Sequence, residues 1–204
     1  MKRLFLIGGS AGAGKTTGAR EMARRLDAGW LQIDTLWITM QESVPRDSAA
    51  YRTVRIDERI VNSNDPVELL LAAHVQASRL VCAALPRILQ FELQAHDALL
   101  ADGAWLLPEF MAWVEIEGVE KKAAMLYEPE PEEVRAAMDS RRGTKMVAPW
   151  HERSTRASWA YGQWLAGEAD RFHLPVIEAR PRETLFDRLS AALGIDDRVD
   201  SPPR

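Results

Sequence analysis

The segment Gly9-Ser10-Ala11-Gly12-Ala13-Gly14-Lys15-Thr16 constrains this chain most, because it joins the apolar run Leu4-Phe5-Leu6-Ile7 to a helix-forming stretch from Thr17 to Leu26. It is a complete G-x-x-x-x-G-K-[ST] sequence in a strand–loop–helix setting. Glycines let such a loop curl until successive N–H groups point inward, which makes a cage for phosphate oxygens. Lys15 adds a point charge suited to β- and γ-phosphates, and the Thr16 hydroxyl suits Mg²⁺. The helix that starts next turns its N-terminus to the same anion. A Gly/Ala-rich turn that matched by chance would lack this setting. The loop therefore predicts nucleoside triphosphate binding through Gly9, Ser10, Ala11, Gly12, Ala13, Gly14, Lys15, Thr16 and Thr17.

With 204 residues, 47% of them hydrophobic, the chain has enough apolar material for one domain with its own core. A formal charge of −4 and a pI of about 5.7 give no support for nucleic-acid binding by bulk electrostatics. Cys82 is the single cysteine, which excludes an intramolecular disulfide or a cysteine zinc cluster and fits a reducing cytoplasm. The start of the chain does not read as a signal peptide, since Gly8-Gly9 breaks its apolar run and Lys15 follows. No run approaches the ~20 apolar residues that cross a bilayer. The expectation is a cytoplasmic protein, monomer or homodimer, without nucleic-acid or membrane partners.

Strand and helix patterns alternate, which predicts an α/β fold with a parallel sheet covered on both faces. Strands are expected at 3–8, 30–33, 98–101, 122–126 and 175–178. Helices are expected at 15–26, from about 48 towards Val61, from Pro66 to about His96, at 128–142, at about 151–172 and at 181–193. Residues 35–46 give a mixed pattern. Asn62-Ser63-Asn64-Asp65-Pro66 breaks the chain and starts the next helix, with an Asn or Asp cap and Pro66 at the first helical position. Pro86 should kink or split that long helix. On this reading 1–195 is one domain, with a helical insertion at about 44–96 and a lid at about 141–156. Residues 196–204, with Pro202-Pro203, read as a flexible tail.

Ligands bind outside the carboxyl edge of such sheets, and two carboxylates are expected there. Asp102, followed by Gly103, ends the third strand and can help hold Mg²⁺ beside Thr16. An Asp-Gly turn is the plain alternative. Asp34 ends the second strand, where a carboxylate can take a proton from a substrate hydroxyl or cap the residues that follow. Arg141, Arg142, Lys145, Arg153 and Arg156 gather around the 143–149 loop, as a flap covering phosphate charge requires. A solvated basic helix end explains any single one of them. Arg52, Arg55 and Arg59 recur at helical spacing and either face an anionic acceptor or, with Asp57 and Glu58 between them, line a solvated face. His74, His96, His151 and His173 show no metal-ligand spacing.

In this order the residues resemble the small P-loop kinases, the group of adenylate, shikimate and gluconate kinases and chloramphenicol phosphotransferase, over nearly the whole chain. The resemblance implies a three-layer P-loop NTPase fold with strand order 2-3-1-4-5 and an Arg-bearing lid. It implies catalytic roles for Lys15, for Asp34 at the acceptor hydroxyl and for a lid arginine such as Arg142. It implies that Thr16 and Asp102 organise Mg²⁺, and that Arg180, in Ala179-Arg180-Pro181, lies where this group contacts adenine. The segment from Ala101 to Glu109 is also similar to the glycine, then Leu-Leu-Pro-Glu, of 2-phosphoglycerate-kinase-like proteins. The Asp-Gly-Phe-Pro-Arg of nucleoside monophosphate kinases is absent, since Ala104-Trp105-Leu106 takes its place, which disfavours a nucleotide acceptor.

The expected function is ATP- and Mg²⁺-dependent transfer of a γ-phosphate to a small-molecule acceptor, through a hydroxyl. A nucleotide-gated ATPase acting on a partner protein is the alternative. Gly103 stands where motor-type ATPases carry a water-activating acid, which disfavours it.

Overall fold

Alternation along the first strand sets the layers. Strand β1 (Lys2–Gly9) sends Leu4 and Leu6 into one core and Phe5 and Ile7 into another, because successive side chains of a strand point to opposite faces. β2 (Gly29–Gln32), β3 (Ala98–Gly103), β4 (Val119–Tyr127) and β5 (Val176–Glu178) join β1 in a parallel five-stranded sheet of order β2-β3-β1-β4-β5. This is the α/β fold and the strand order that the resemblance implies. The computed structural model describes residues 1–48, 50–55, 66–142 and 148–195, with backbone alone for 141, 142 and 148–150. The expected helix course from 56 to Val61, Arg59, the Asn62–Asp65 break, the 143–147 part of the lid with Lys145, and the tail from 196 lie outside the described residues.

One face of the sheet carries Phe5, Ile7, Leu100, Ala124, Leu126 and Ile177. It is covered by α1 (Lys15–Arg25), through Ala19 and Met22, and by α8 (Leu185–Ala192), through Leu185 and Leu189. The other face carries Leu4, Leu6, Leu99, Ala101 and Met125. It lies under α2 (Ile33–Ser43), the short α3 (Tyr51–Val54), α4 (Val67–Ala95), α5 (Pro108–Trp113) and α7 (Ala148–Arg171). Between β4 and α7 runs α6 (Pro131–Arg142). Leu4, Leu6, Ile7, Leu99 and Leu100 are at most 1% exposed, and each side chain of this kind contributes about 1.5–3 kcal/mol by leaving water.

Several expectations are corrected. Residues 33–43, read as a strand end and a mixed stretch, form α2, so Asp34 sits in the first turn of a helix rather than at the end of β2. The six residues of α5 were not foreseen as a helix. Pro66 takes the N-cap position of α4 with extended ψ, so the helix begins at Val67. α4 is one element with Pro86 inside it, held on both sides of the missing N–H by the buried Leu85 and Leu89. A 3₁₀ turn (Arg182–Thr184) precedes α8 in place of one helix from Pro181. Contrary to the expectation about bilayers, α4 is long and apolar enough to cross one by length and composition, because its few charged residues interrupt but do not dominate it. Its inner face, from Leu70 through Ala77, Val81 and Leu85 to Leu93, belongs to the core.

Gly9 closes β1 at φ +140°, where a Cβ would lie 2.0 Å from the Leu126 carbonyl oxygen. Gly9→Ala should lower the unfolding free energy by more than about 2 kcal/mol in a urea titration, since both the backbone and β4 oppose the methyl group. An unchanged midpoint would mean that β1 and β4 can part here at no cost.

Candidate active site

β1 feeds directly into the loop at 10–14, and α1 starts at Lys15 with Gly14 as its N-cap at φ +85°. A glycine supplies no capping side chain, and no acidic residue occupies the first turn of α1. The first N–H groups of the helix and its positive dipole end are thus left to the loop, as an anion site requires. Lys15 is only 2% exposed, and its Nζ donates to the Ser10 carbonyl at 2.8 Å. The Ser10 hydroxyl is buried and has no hydrogen-bond partner among the described residues. Helix α7 presses on it, since a Cβ on Gly162 would come within 2.4 Å of Ser10 Oγ. An unpaired buried hydroxyl costs about 1–3 kcal/mol, and a phosphate oxygen entering the loop would relieve that cost.

Parallel pairing brings the carboxylates beside the loop. Asp102 lies level with Ile7 on one side and Gln32 on the other. Fully buried, it accepts the Thr16 hydroxyl on Oδ2 at 2.9 Å and the Trp30 indole N–H on Oδ1 at 2.7 Å. Burial pushes the Asp102 carboxyl above its ordinary range, and the neighbouring Asp34 adds to that. The Trp30 and Thr16 hydrogen bonds and the Lys15 charge pull the other way. A hydroxyl and a carboxylate side by side are the hard oxygen ligands that Mg²⁺ takes.

Asp34 accepts the Ala104 N–H at 3.2 Å, and Tyr161 donates its phenol proton to the Ala104 carbonyl at 3.0 Å. The residue just past β3 is therefore held from α2 on one side and α7 on the other. One turn after Asp34, Trp37 stacks on Trp105 at 4.0 Å. His74 of α4 continues the stack between Trp105 (5.9 Å) and Tyr161 (5.1 Å), and Ser78 shares a 2.8 Å hydrogen bond with the Tyr161 hydroxyl. These aromatic groups form the wall beside Asp34.

A third cluster lies on the far side of the loop. Glu128, directly after β4 and wholly buried, accepts Arg180 Nε at 3.3 Å and Arg182 Nη2 at 3.2 Å. Arg182 Nη2 also donates to the Gly12 carbonyl at 2.6 Å, and Arg180 bonds Glu133 of α6. Glu128 and Arg182 escaped the sequence reading. The only hints were an acid ending an apolar strand and a second arginine after Arg180-Pro181.

The structure thus gathers Lys15, Thr16, Asp34 and Asp102 at one edge, with Trp30, Tyr161 and Arg182 as unforeseen partners. Arg180 is engaged by Glu128 and Glu133. Arg142 ends α6, where only its backbone is described. Arg153 and Arg156 belong to α7. At the start of that helix, His151 Nε2 lies 2.9 Å from Asp139 Oδ1, near enough for an ion pair though not aligned as a hydrogen bond. Arg55 of the insertion pairs with Glu42 of α2 at 2.9 Å.

No family model and no curated protein matches the chain. Solved structures do. A shikimate kinase from Acinetobacter baumannii in complex with shikimate is 16% identical, with TM-score 0.50 over 98% of this chain and 96% of that one. A sugar kinase from Janibacter sp. HTCC2649 is 18% identical, with TM-score 0.50 over 96% and 95%. A gluconokinase from Sinorhizobium meliloti 1021 is 13% identical, with TM-score 0.49 over 95% and 91%. At such identities the likeness is one of fold, and the chain has the fold of the small P-loop kinases.

Asp102→Asn keeps the shape of the site and removes a charge that burial disfavours. A carboxyl whose folded pKa is raised stabilises the fold below its unfolded pKa, near 3.8, and loses that contribution as pH rises through the folded value. At neutral pH the variant should therefore melt no lower than the wild type, and the gap should shrink towards pH 4. A clearly lower melting temperature at pH 7 would show that the Thr16 and Trp30 hydrogen bonds outweigh desolvation.

Proposed function

We propose that this chain is an ATP-dependent kinase that transfers the γ-phosphate to a hydroxyl of a small molecule. The observation that carries the reading is the Thr16–Asp102 pair beside Lys15 at the uncapped N-terminus of α1. The loop amides and Lys15 hold the β- and γ-phosphates, Lys15 exchanging the Ser10 carbonyl for a phosphate oxygen. Among the described residues no group of three His, Cys, Asp or Glu can hold a metal. Mg²⁺ would be held by the Thr16 hydroxyl, by Asp102 through water and by the phosphates themselves. Bound there, it neutralises charge that spreads over the transferring group. Asp34 orients the acceptor hydroxyl or takes its proton. Arg142, or another lid arginine, covers the equatorial oxygens, and the backbone at Arg180-Pro181 meets the adenine. Most of the rate comes from positioning and charge rather than from covalent chemistry.

In this reading 1–195 is one kinase domain, working in the cytoplasm, with the insertion at 44–96 closing over the acceptor and the lid at 141–156 over the phosphates. The solved structures at TM-score 0.50 are named for shikimate and for a sugar, which favours a hydroxylated acceptor here. A hydrolytic switch is disfavoured by Gly103. A Cβ there would sit 2.6 Å from Ile33 Cβ, so no water-activating side chain fits.

Titration calorimetry with ATP and Mg²⁺ tests the core of the proposal. Lys15→Ala should weaken binding by about a hundredfold, some 2.7 kcal/mol, and equal binding by both proteins would defeat the role of Lys15. Transfer of labelled phosphate to mixtures of sugars and hydroxy acids tests the acceptor side. Asp34→Asn should bind ATP as the wild type does yet lose roughly 10²–10⁴-fold in transfer rate. Full activity in that variant would remove Asp34 from the chemistry.

A further inference from the structure

We infer that Arg182 is a positioning residue for the phosphate cage, acting from outside the loop through the Gly12 carbonyl. The inference rests on the nucleotide-binding reading above. In a loop whose N–H groups must face a polyanion, the carbonyls must face away and be satisfied elsewhere. Gly12 is a residue where this is hard to guarantee, since its φ of +84° lies in a region where glycine moves freely. If the peptide after Gly12 rotates, it turns an acceptor rather than a donor towards the phosphates.

Arg182 opposes that rotation. Its Nη2 donates to Gly12 O at 2.6 Å, a short, charge-assisted hydrogen bond. Its Nη1 lies so close to the N-cap of α1 that a Cβ on Gly14 would be 2.5 Å away. One guanidinium therefore braces two of the loop's glycines. Burial works against its charge and Glu128 sustains it: Glu128 Oε2 is 3.2 Å from Nη2 on a wholly buried carboxylate. Arg180, which also reaches Glu128, is drawn outward to the half-exposed Glu133, so Arg182 is the arginine left to face the loop.

On the inner side, the N–H of the same peptide belongs to Ala13 and makes only a 3.5 Å contact with the Ser10 carbonyl, at the outer limit of a hydrogen bond. Lys15 donates to that carbonyl at 2.8 Å. Two donors of the cage thus rest on one acceptor, ready to pass to an anion. A cation on the opposite carbonyl polarises the peptide so that Ala13 N–H becomes the stronger donor. Arg182 thereby favours any polyphosphate, whatever base it carries.

The experiment measures Mg²⁺–ATP binding by calorimetry, and inorganic tripolyphosphate by competition against ATP, with melting curves as a check on folding. Arg182→Met should weaken ATP and tripolyphosphate by the same factor, roughly tenfold or more, and Arg182→Lys should recover part of it. Arg182→Met leaves the buried Glu128 carboxylate with one arginine partner fewer, and the double variant Glu128→Gln/Arg182→Met removes that charge. It should regain the melting temperature lost in the single variant while still binding weakly. Recovery of affinity in the double variant would overturn the inference, because the single variant's loss would then come from Glu128 alone. Loss of ATP with tripolyphosphate unchanged, or tripolyphosphate that does not compete in the wild type, would overturn it too, by placing the effect at the nucleoside. A wild type that binds no ATP would defeat the kinase reading itself, whereas equal binding by wild type and Arg182→Met defeats only the role of Arg182.

Discussion

A buried carboxylate with two obligatory partners ties the site together. The Thr16 hydroxyl and the Trp30 indole offset part of the cost of burying Asp102, and those two groups come from α1 and β2. Neither could reach it unless β3 ran between β1 and β2, in the register that sets Asp102 level with Ile7 and Gln32. The sheet order is thus the condition under which one acid from β3 touches a phosphate loop hung from β1. A buried charge held by neutral donors also stores electrostatic potential. It is a poor way to stabilise a fold and a good way to attract a cation.

Around that centre the site divides into two sides with different chemistry. Towards β2, the wall is aromatic and built by α2, α4 and α7, with Asp34 and Tyr161 holding the N–H and the carbonyl of Ala104. Towards β4, the wall is ionic, with Glu128 and its two arginines behind the loop. The phosphate loop lies between them.

How much of this could be read in advance depended on the range of the interaction. The loop and the buried strands were legible because their signals are local: glycine spacing, a lysine, short apolar runs. Strand order came through the resemblance, not through periodicity. α2 was hidden by the β-branched residues among Ile33-Asp34-Thr35-Leu36-Trp37-Ile38-Thr39, which mimic a strand until Trp37 packs on Trp105. α5 is too short for a helical period to show. α4 meets the length and composition of a bilayer-crossing helix without one unbroken apolar run, because scattered charges interrupt it. Trp30, Glu128 and Arg182 were invisible for another reason. Their partners are 72, 54 and 170 residues away, and only the assembled sheet brings them together.

The contact between Gly162 and Ser10 has a mechanical meaning. α7 is a 24-residue rod, about 36 Å long, whose first turns lie beside the end of α6 and whose middle rests on the phosphate loop. With no Cβ at the fulcrum, rod and loop touch almost backbone to hydroxyl, and there is no soft side chain between them to absorb displacement. Any larger residue at 162 would have to displace the serine or lift the rod from the loop.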